Sequence, residues 1–199
     1  MTLHSLQVGS FEVNCSILDR GGAAWIVDPG QDAERILSVL RGHKLVPVGI
    51  LLTHAHFDHI GAVGALQKAY PALPVYVHPA DVPAFSHPMN QYPPDYPPVT
   101  APANLKDPRE LKWLTVIETP GHTPGGVSYY LPEEKLLFSG DTLFLGSVGR
   151  TDLPGGDANT LMASLKRLMT LPDETKVIPG HGGSTSIGTE KRINPFLRD

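Results

Sequence analysis

The sequence predicts an α+β chain, which periodicity alone cannot tell from α/β, from three observations. Strand-like runs cluster early in each half of the 199 residues, helical stretches follow them, and several strands run directly into His or Asp residues flanked by Gly or Pro. Strand signals lie near 3–8, 12–18 and 23–28, with Gly21-Gly22 as the turn between the last two. A helix is expected near 32–41, with Asp32 close to its start and Gly42 just past its end. The apolar run Val48-Gly49-Ile50-Leu51-Leu52 reads as a buried strand. A helix near 60–70 ends before Pro71, and Pro74-Val75-Tyr76-Val77 reads as another strand. The second half repeats the outline: strands near 113–118, 126–131 and 135–139, a helix near 158–170 and a strand near 175–178. Two sheets packed face to face with helices outside would suit this order.

Thr53-His54-Ala55-His56-Phe57-Asp58-His59 leaves the 48–52 strand at its C-terminal end, where open α/β sheets hold their sites. Four metal-ligand types, His54, His56, Asp58 and His59, fall within six residues. An open catalytic site takes about three protein ligands and a water, so this segment alone points to two metals. The missing ligands lie further along. His122 sits in Pro120-Gly121-His122-Thr123-Pro124, Asp141 follows Ser139-Gly140, and His181 sits in Pro179-Gly180-His181-Gly182. Each stands at a strand-to-loop boundary where a Gly or Pro turn fixes the direction of the side chain. The candidates number seven, five His and two Asp. Imidazole with carboxylate suits zinc, iron or manganese, and no thiolate is present to bias the choice. Two divalent ions are expected, zinc first.

Composition narrows the class. Apolar residues make up 41% of the chain, enough for one large domain over 1–199. A net charge of −4 gives no basic footprint for nucleic acid. One cysteine, Cys15, forbids an intrachain disulfide and points to a reducing compartment. The N-terminus shows no secretory signal, and no apolar run approaches bilayer length, so a cytoplasmic location without membrane contact is expected.

The order H-x-H-x-D-H, His, Asp, His resembles the metallo-β-lactamase superfamily. That resemblance implies a four-layer αββα fold, two mixed sheets between helices. It also implies a ligand division: His54, His56 and His122 on one metal, Asp58, His59 and His181 on the other, and Asp141 bridging. Asp58 and Asp141 then carry the catalytic roles. Asn14-Cys15-Ser16, Val27-Asp28-Pro29-Gly30, Pro120–Gly125, Ser139-Gly140-Asp141, Gly149-Arg150-Thr151-Asp152 and Asn194-Pro195-Phe196-Leu197 look like the short glyoxalase II enzymes (hydroxyacylglutathione hydrolases). The resemblance implies that metal-bound hydroxide attacks the carbonyl of a glutathione thioester such as S-lactoylglutathione. It gives Asp28 the task of orienting a ligand His, although an Asp there also starts a turn. Arg150 would meet a glutathione carboxylate; pairing with Asp152 or Asp157 is the structural alternative.

The chemistry agrees with an activated acyl substrate. A thiol of pKa about 8.5 leaves with little protonation, whereas an amine needs a general acid that the sequence does not supply. Main-class di-zinc lactamases carry Cys at the Asp141 position, and flavodiiron proteins carry Glu at the His56 position. Two rivals keep the same motifs: a persulfide dioxygenase with one iron on the equivalents of His54, His122 and Asp141, and a lactonase. Two-domain glyoxalase II enzymes add a helical C-terminal extension; the resemblance here is to the short enzymes, and no such extension is expected. Residues 78–108 are dense in proline and are expected to be neither sheet nor long helix. They form either a surface connection or a lid, with Phe85, Met89, Tyr92 and Tyr96 as apolar contacts. His4, His43, His78 and His87 have no ligand spacing, and Cys15 reads as an inert buried thiol.

Overall fold

The computed structural model describes residues 1–90, 99–102 and 104–198. It divides into two compact units, Met1–Pro108 and Arg109–Asp199.

The first unit holds a six-stranded mixed sheet in chain order: β1 (Thr2–Val8), β2 (Val13–Arg20), β3 (Ala23–Val27), β4 (Val46–Leu51), β5 (Val75–Tyr76) and β6 (Leu105–Lys106). The first three strands pair antiparallel and the last four pair parallel. The β3–β4 crossover is helix α1 (Ala33–Gly42), whose Ile36, Leu37 and Leu40 are buried at helical spacing. These three join Ile17, Ile26 and Ile50 of the sheet, and Val63 and Leu66 of α3 (Val63–Ala69), in one apolar cluster. Leu18, Val27 and Leu51 alternate with the sheet members of that cluster and are equally buried, so both faces of the sheet are covered. That explains why β4 reads as a continuous apolar run rather than an alternating one.

Two expectations for this unit are corrected. The helix expected near 60–70 is two pieces, α2 (Phe57–Ile60) and α3. The turn Asp28-Pro29-Gly30 lies against the break: Ala62 N–H donates to the Pro29 carbonyl at 3.0 Å, and a Cβ on Gly61 would stand 2.2 Å from the Gly30 oxygen. The 78–108 segment is also not free of sheet, because β6 pairs with β5 at the sheet edge. Its start forms 3-10 turns over Pro79–Ser86 and Pro88–Asn90, short helices that tolerate proline. Phe85 enters the first unit's apolar cluster rather than lining a wall. Tyr92 and Tyr96 lie outside the described residues.

The second unit holds a five-stranded sheet in the order β13 (Thr185–Ser186), β12 (Lys176–Pro179), β9 (Leu136–Gly140), β8 (Val127–Leu131), β7 (Thr115–Glu118). Only β12 and β9 run parallel. A hairpin of β10 (Leu143–Phe144) and β11 (Ser147–Val148) follows β9. Helices α4 (Ala158–Leu168) and α5 (Ile187–Ile193) cover this sheet, with Leu161, Leu165, Leu168 and Ile187 packed on Leu137 and Val177. Among the described residues no helix is long and apolar enough to cross a membrane.

Candidate metal centre

Every candidate ligand stands at or just past the C-terminal end of a strand. His54 and His56 follow β4, and His56 precedes the first turn of α2, which carries Asp58 and His59. The loop between β7 and β8 carries His122, Asp141 follows β9, and His181 follows β12. The first unit therefore gathers four candidates and the second unit three.

In the first unit the three imidazoles are packed together. The His54 ring lies 4.1 Å from that of His59 and 4.8 Å from that of His56, centroid to centroid. The coordinating atoms of His54 and His56, of His54 and His59, and of Asp58 and His59 come within 4.8 Å of each other. All four residues are buried, His59 completely. Three imidazoles and a carboxylate at this density are a donor set for a cation, since burial of so many polar groups otherwise has a high desolvation cost.

Asp28 decides which nitrogens are offered. Its backbone is left-handed at φ 45°, a region where Asp is one of the few non-Gly residues tolerated. Its Oδ1 accepts the Thr53 amide at 2.7 Å, and its Oδ2 accepts the Thr53 hydroxyl at 2.7 Å. The hydroxyl's one proton is thereby committed, so Thr53 Oγ1 meets His54 Nδ1, at 3.1 Å, as an acceptor. His54 must carry its proton on Nδ1 and keep the Nε2 lone pair. His59 Nδ1 stands 3.1 Å from Asp28 Oδ2, where a bare lone pair would be repelled by the carboxylate. An N–H on that Nδ1 would face the carboxylate and leave Nε2 to a cation. Asp28 thus lies against both Thr53 and His59, where an orienting side chain would stand. It also raises the Cys15 thiol pKa, behind the larger effect of complete burial, and keeps that thiol inert.

Close backbone approach supports the same segment. A Cβ on Gly30 would lie 1.8 Å from the Asp58 carbonyl oxygen, so only glycine lets this turn pass under α2.

In the second unit, His122 Nε2 and His181 Nε2 both lie 3.6 Å from Asp141 Oδ2. His122 Nδ1 is 2.7 Å from the carbonyl oxygen of Arg150. A carbonyl only accepts, so the proton is on Nδ1 and the lone pair is on Nε2. The His122 loop is stitched to α4: Asp157 N–H donates to the Gly121 carbonyl at 2.8 Å, Ser164 Oγ to the Pro120 carbonyl at 2.6 Å, and Arg167 to the Glu118 carbonyl. Thr142 Oγ1 donates to Thr119 Oγ1 at 3.2 Å, and Thr119 also meets Ser128 Oγ at 3.1 Å, tying the Asp141 loop to the start of the His122 loop. A Cβ on Gly149 would lie 1.9 Å from the Asp141 carbonyl oxygen and 3.3 Å from His122 Cβ.

The guanidinium of Arg150 is forked on Asp152, with two bonds of 2.7 Å. That hydrogen bond, with the Coulomb attraction behind it, helps hold the Asp152 carboxyl down to about 2, so the pair stays ionised at any working pH. Sequence reasoning weighed this side chain and missed the backbone: any residue at 150 offers a carbonyl, so no side-chain signal marks it. Glu190 was missed too. It is wholly buried and accepts from Gly146 N at 2.9 Å, Thr185 Oγ1 at 2.5 Å and Asn194 Nδ2 at 2.8 Å. Asn194 also donates to the Ser147 carbonyl, which gives the Asn194–Leu197 motif its structural role. These bonds hold the β10–β11 hairpin, whose Phe144, Leu145 and Ser147 line an open groove of about 390 Å³ with His181, Gly182 and Gly183.

The family model for the metallo-β-lactamase superfamily matches residues 8–181. The chain belongs to that superfamily. It is 38% identical over 210 residues to the probable metallo-hydrolase YqgX of Bacillus subtilis, covering 99% of this chain and 98% of that protein. It is 35% identical over 220 residues to hydroxyacylglutathione hydrolase GloC of Haemophilus influenzae, with 99% and 98% covered. Among solved structures, BLEG-1 B3 metallo-β-lactamase aligns with a TM-score of 0.90 at 38% identity over all of both chains. TTHA1623 in a di-iron-bound form aligns at 0.86 and 43%, over 98% of this chain and 100% of that one. ETHE1 from Myxococcus xanthus aligns at 0.75 and 31%, over 98% and 84%. The fold is that of the superfamily, with mixed sheets and helices as the sequence predicted, and its His/Asp donors suit divalent metal ions.

Proposed function

We propose that this chain is a metal-dependent hydrolase of a glutathione thioester of the S-lactoylglutathione type. The observation that carries the reading is the set of imidazoles whose Nδ1 faces an oxygen: His54 at Thr53, His59 at Asp28 and His122 at the Arg150 carbonyl. Three Nε2 lone pairs are thereby presented for ligation. The similarity to GloC along the whole chain supports the thioester as substrate.

In this reading His54, His56 and His122 would hold one ion, Asp58, His59 and His181 would hold a second, and Asp141 would serve both. The di-iron form of TTHA1623 supports two ions and leaves zinc, iron and manganese all in play. Bound there, two divalent ions supply an activated water at neutral pH and polarise a carbonyl. Asp58, nearly buried beside His59, is the carboxylate to take up a proton, and the thiolate leaves without needing one. The partner is a small molecule rather than nucleic acid, and a buried lone thiol suits a reducing cytoplasm.

Arg150 serves as the carboxylate contact only by exchanging Asp152 for the substrate. Arg150→Ala is expected to raise KM with little change in kcat, and Asp152→Ala to lower KM by freeing the guanidinium. An unmoved KM in both variants removes the contact.

Hydrolysis of S-D-lactoylglutathione, with and without prior chelation, tests the function itself. Chelator-sensitive turnover supports it. Metal-loaded protein that ignores the thioester but opens a β-lactam, or that makes sulfite from glutathione persulfide, replaces it with the chemistry named for BLEG-1 or with the persulfide oxygenase reading. The β-lactam arm matters because BLEG-1, a lactamase, matches this chain end to end at 38% identity. The presence of Asp141 alone therefore does not separate the two substrates.

A further inference from the structure

Asp81 and Asn90 lie on the 3-10 turns of the proline-rich segment, both 1% exposed, and neither belongs to the ligand set. Both reach the backbone between the first two ligand histidines. Asp81 Oδ2 accepts from Ala55 N at 3.1 Å. Asn90 Nδ2 donates to the Ala55 carbonyl at 2.6 Å, and its Oδ1 accepts from Phe57 N at 3.0 Å. A further Asn90 bond, to the Ala84 carbonyl at 2.7 Å, ties the clamp to its own segment. Ala55 separates His54 from His56, and Phe57 follows His56. Two side chains therefore hold both peptide groups of Ala55 and the amide just beyond His56.

We infer that Asp81 and Asn90 are positioning residues that set the backbone between His54 and His56, and so the geometry of the metal held by that pair. The inference rests on the metal reading above. Spacing alone does not bring two imidazoles to one ion. Here the distance between their donor atoms depends on the torsions around Ala55, and those torsions are set by side chains 26 and 35 residues away. Residues 79–90 thus form a buttress for the ligand loop.

The test measures metal affinity rather than turnover. Zinc is titrated into metal-free protein against a competing chelator, for wild type, Asp81→Ala, Asp81→Asn and Asn90→Ala. Wild type should give two dissociation constants. Asp81→Ala and Asn90→Ala should weaken one of them by about 10–100-fold and leave the other within about threefold, the scale expected when a group orienting a ligand is lost. Asp81→Asn keeps an acceptor for Ala55 N and should stay near wild type. Amide exchange at Ala55 and Phe57 in the metal-free proteins gives an independent readout: the first should quicken in Asp81→Ala and the second in Asn90→Ala. Unmoved affinities in folded variants overturn the clamp, as does equal weakening of both sites, which marks general destabilisation. If Asn90→Ala does not fold, the Asp81 pair decides alone. Wild type that binds no metal removes the metal reading and the clamp with it, whereas metal-binding wild type with unmoved variants removes the clamp only.

Discussion

Asp141→Ala should cost the protein at least one metal ion and about a thousandfold or more in turnover. In the second unit this carboxylate is the group common to both imidazoles, with Oδ2 3.6 Å from His122 Nε2 and from His181 Nε2. Alanine leaves two imidazoles and no anion between them. A lost Lewis-acid contribution of several kcal/mol corresponds to a rate loss of about that size. The folded metal-free protein should tolerate the change, because a partly buried carboxylate without its cation is a cost, not a support. Asp141→Asn should fall between: one oxygen remains to ligate, but the negative charge that would hold the cations is gone. Metal per chain by elemental analysis, thiol release from the thioester and the thermal midpoint of the apoprotein report the three effects separately. Unchanged turnover with full metal would remove Asp141 from the centre.

What the sequence made legible was whatever short-range pattern encodes. β4 showed as an apolar run because both faces of its sheet are buried; four ligands showed because they crowd within six residues after it, and the other three because each follows a strand with a glycine beside it. The two-residue strands β6, β10, β11 and β13 left no pattern, since one alternation cannot be told from chance and their pairing is set by neighbours. The break between α2 and α3 was hidden because its cause, the Pro29-Gly30 turn, lies some thirty residues upstream. Asp81, Asn90 and the Arg150 carbonyl were hidden for a related reason. Each acts on backbone, or through backbone, at a distance in sequence that no local motif spans.

Asp28→Asn should leave the protein folded while weakening metal binding by about 10–100-fold, and Asp28→Ala should destabilise it outright. The two substitutions separate the jobs of one side chain. In the alanine variant the Thr53 amide and hydroxyl, both buried, lose their acceptor. Each such loss costs about 1–3 kcal/mol, and alanine is also less suited than Asp to the left-handed φ of 45°. A total of about 3–5 kcal/mol is a large part of a domain's stability. Asparagine keeps the shape and the tolerance of that backbone. Its oxygen must stay on the Thr53 amide, because the amide group turned the other way would set donor against donor. Its NH2 then occupies the Oδ2 position, facing Thr53 Oγ1 and His59 Nδ1. His59 has to receive that donor with the Nδ1 lone pair, which moves its proton to Nε2. Thr53, no longer donating to Asp28, can turn its proton to His54 Nδ1 and displace that imidazole's proton to Nε2 as well. One isosteric change thereby reverses two tautomers and puts N–H groups where lone pairs were offered to a cation. Nitrogen-15 shifts of the imidazoles in metal-free protein should show the reversal, and zinc competition should show the loss. Wild-type tautomers together with wild-type affinity in Asp28→Asn would mean that Asp28 supports the turn alone and does not choose the ligand nitrogens.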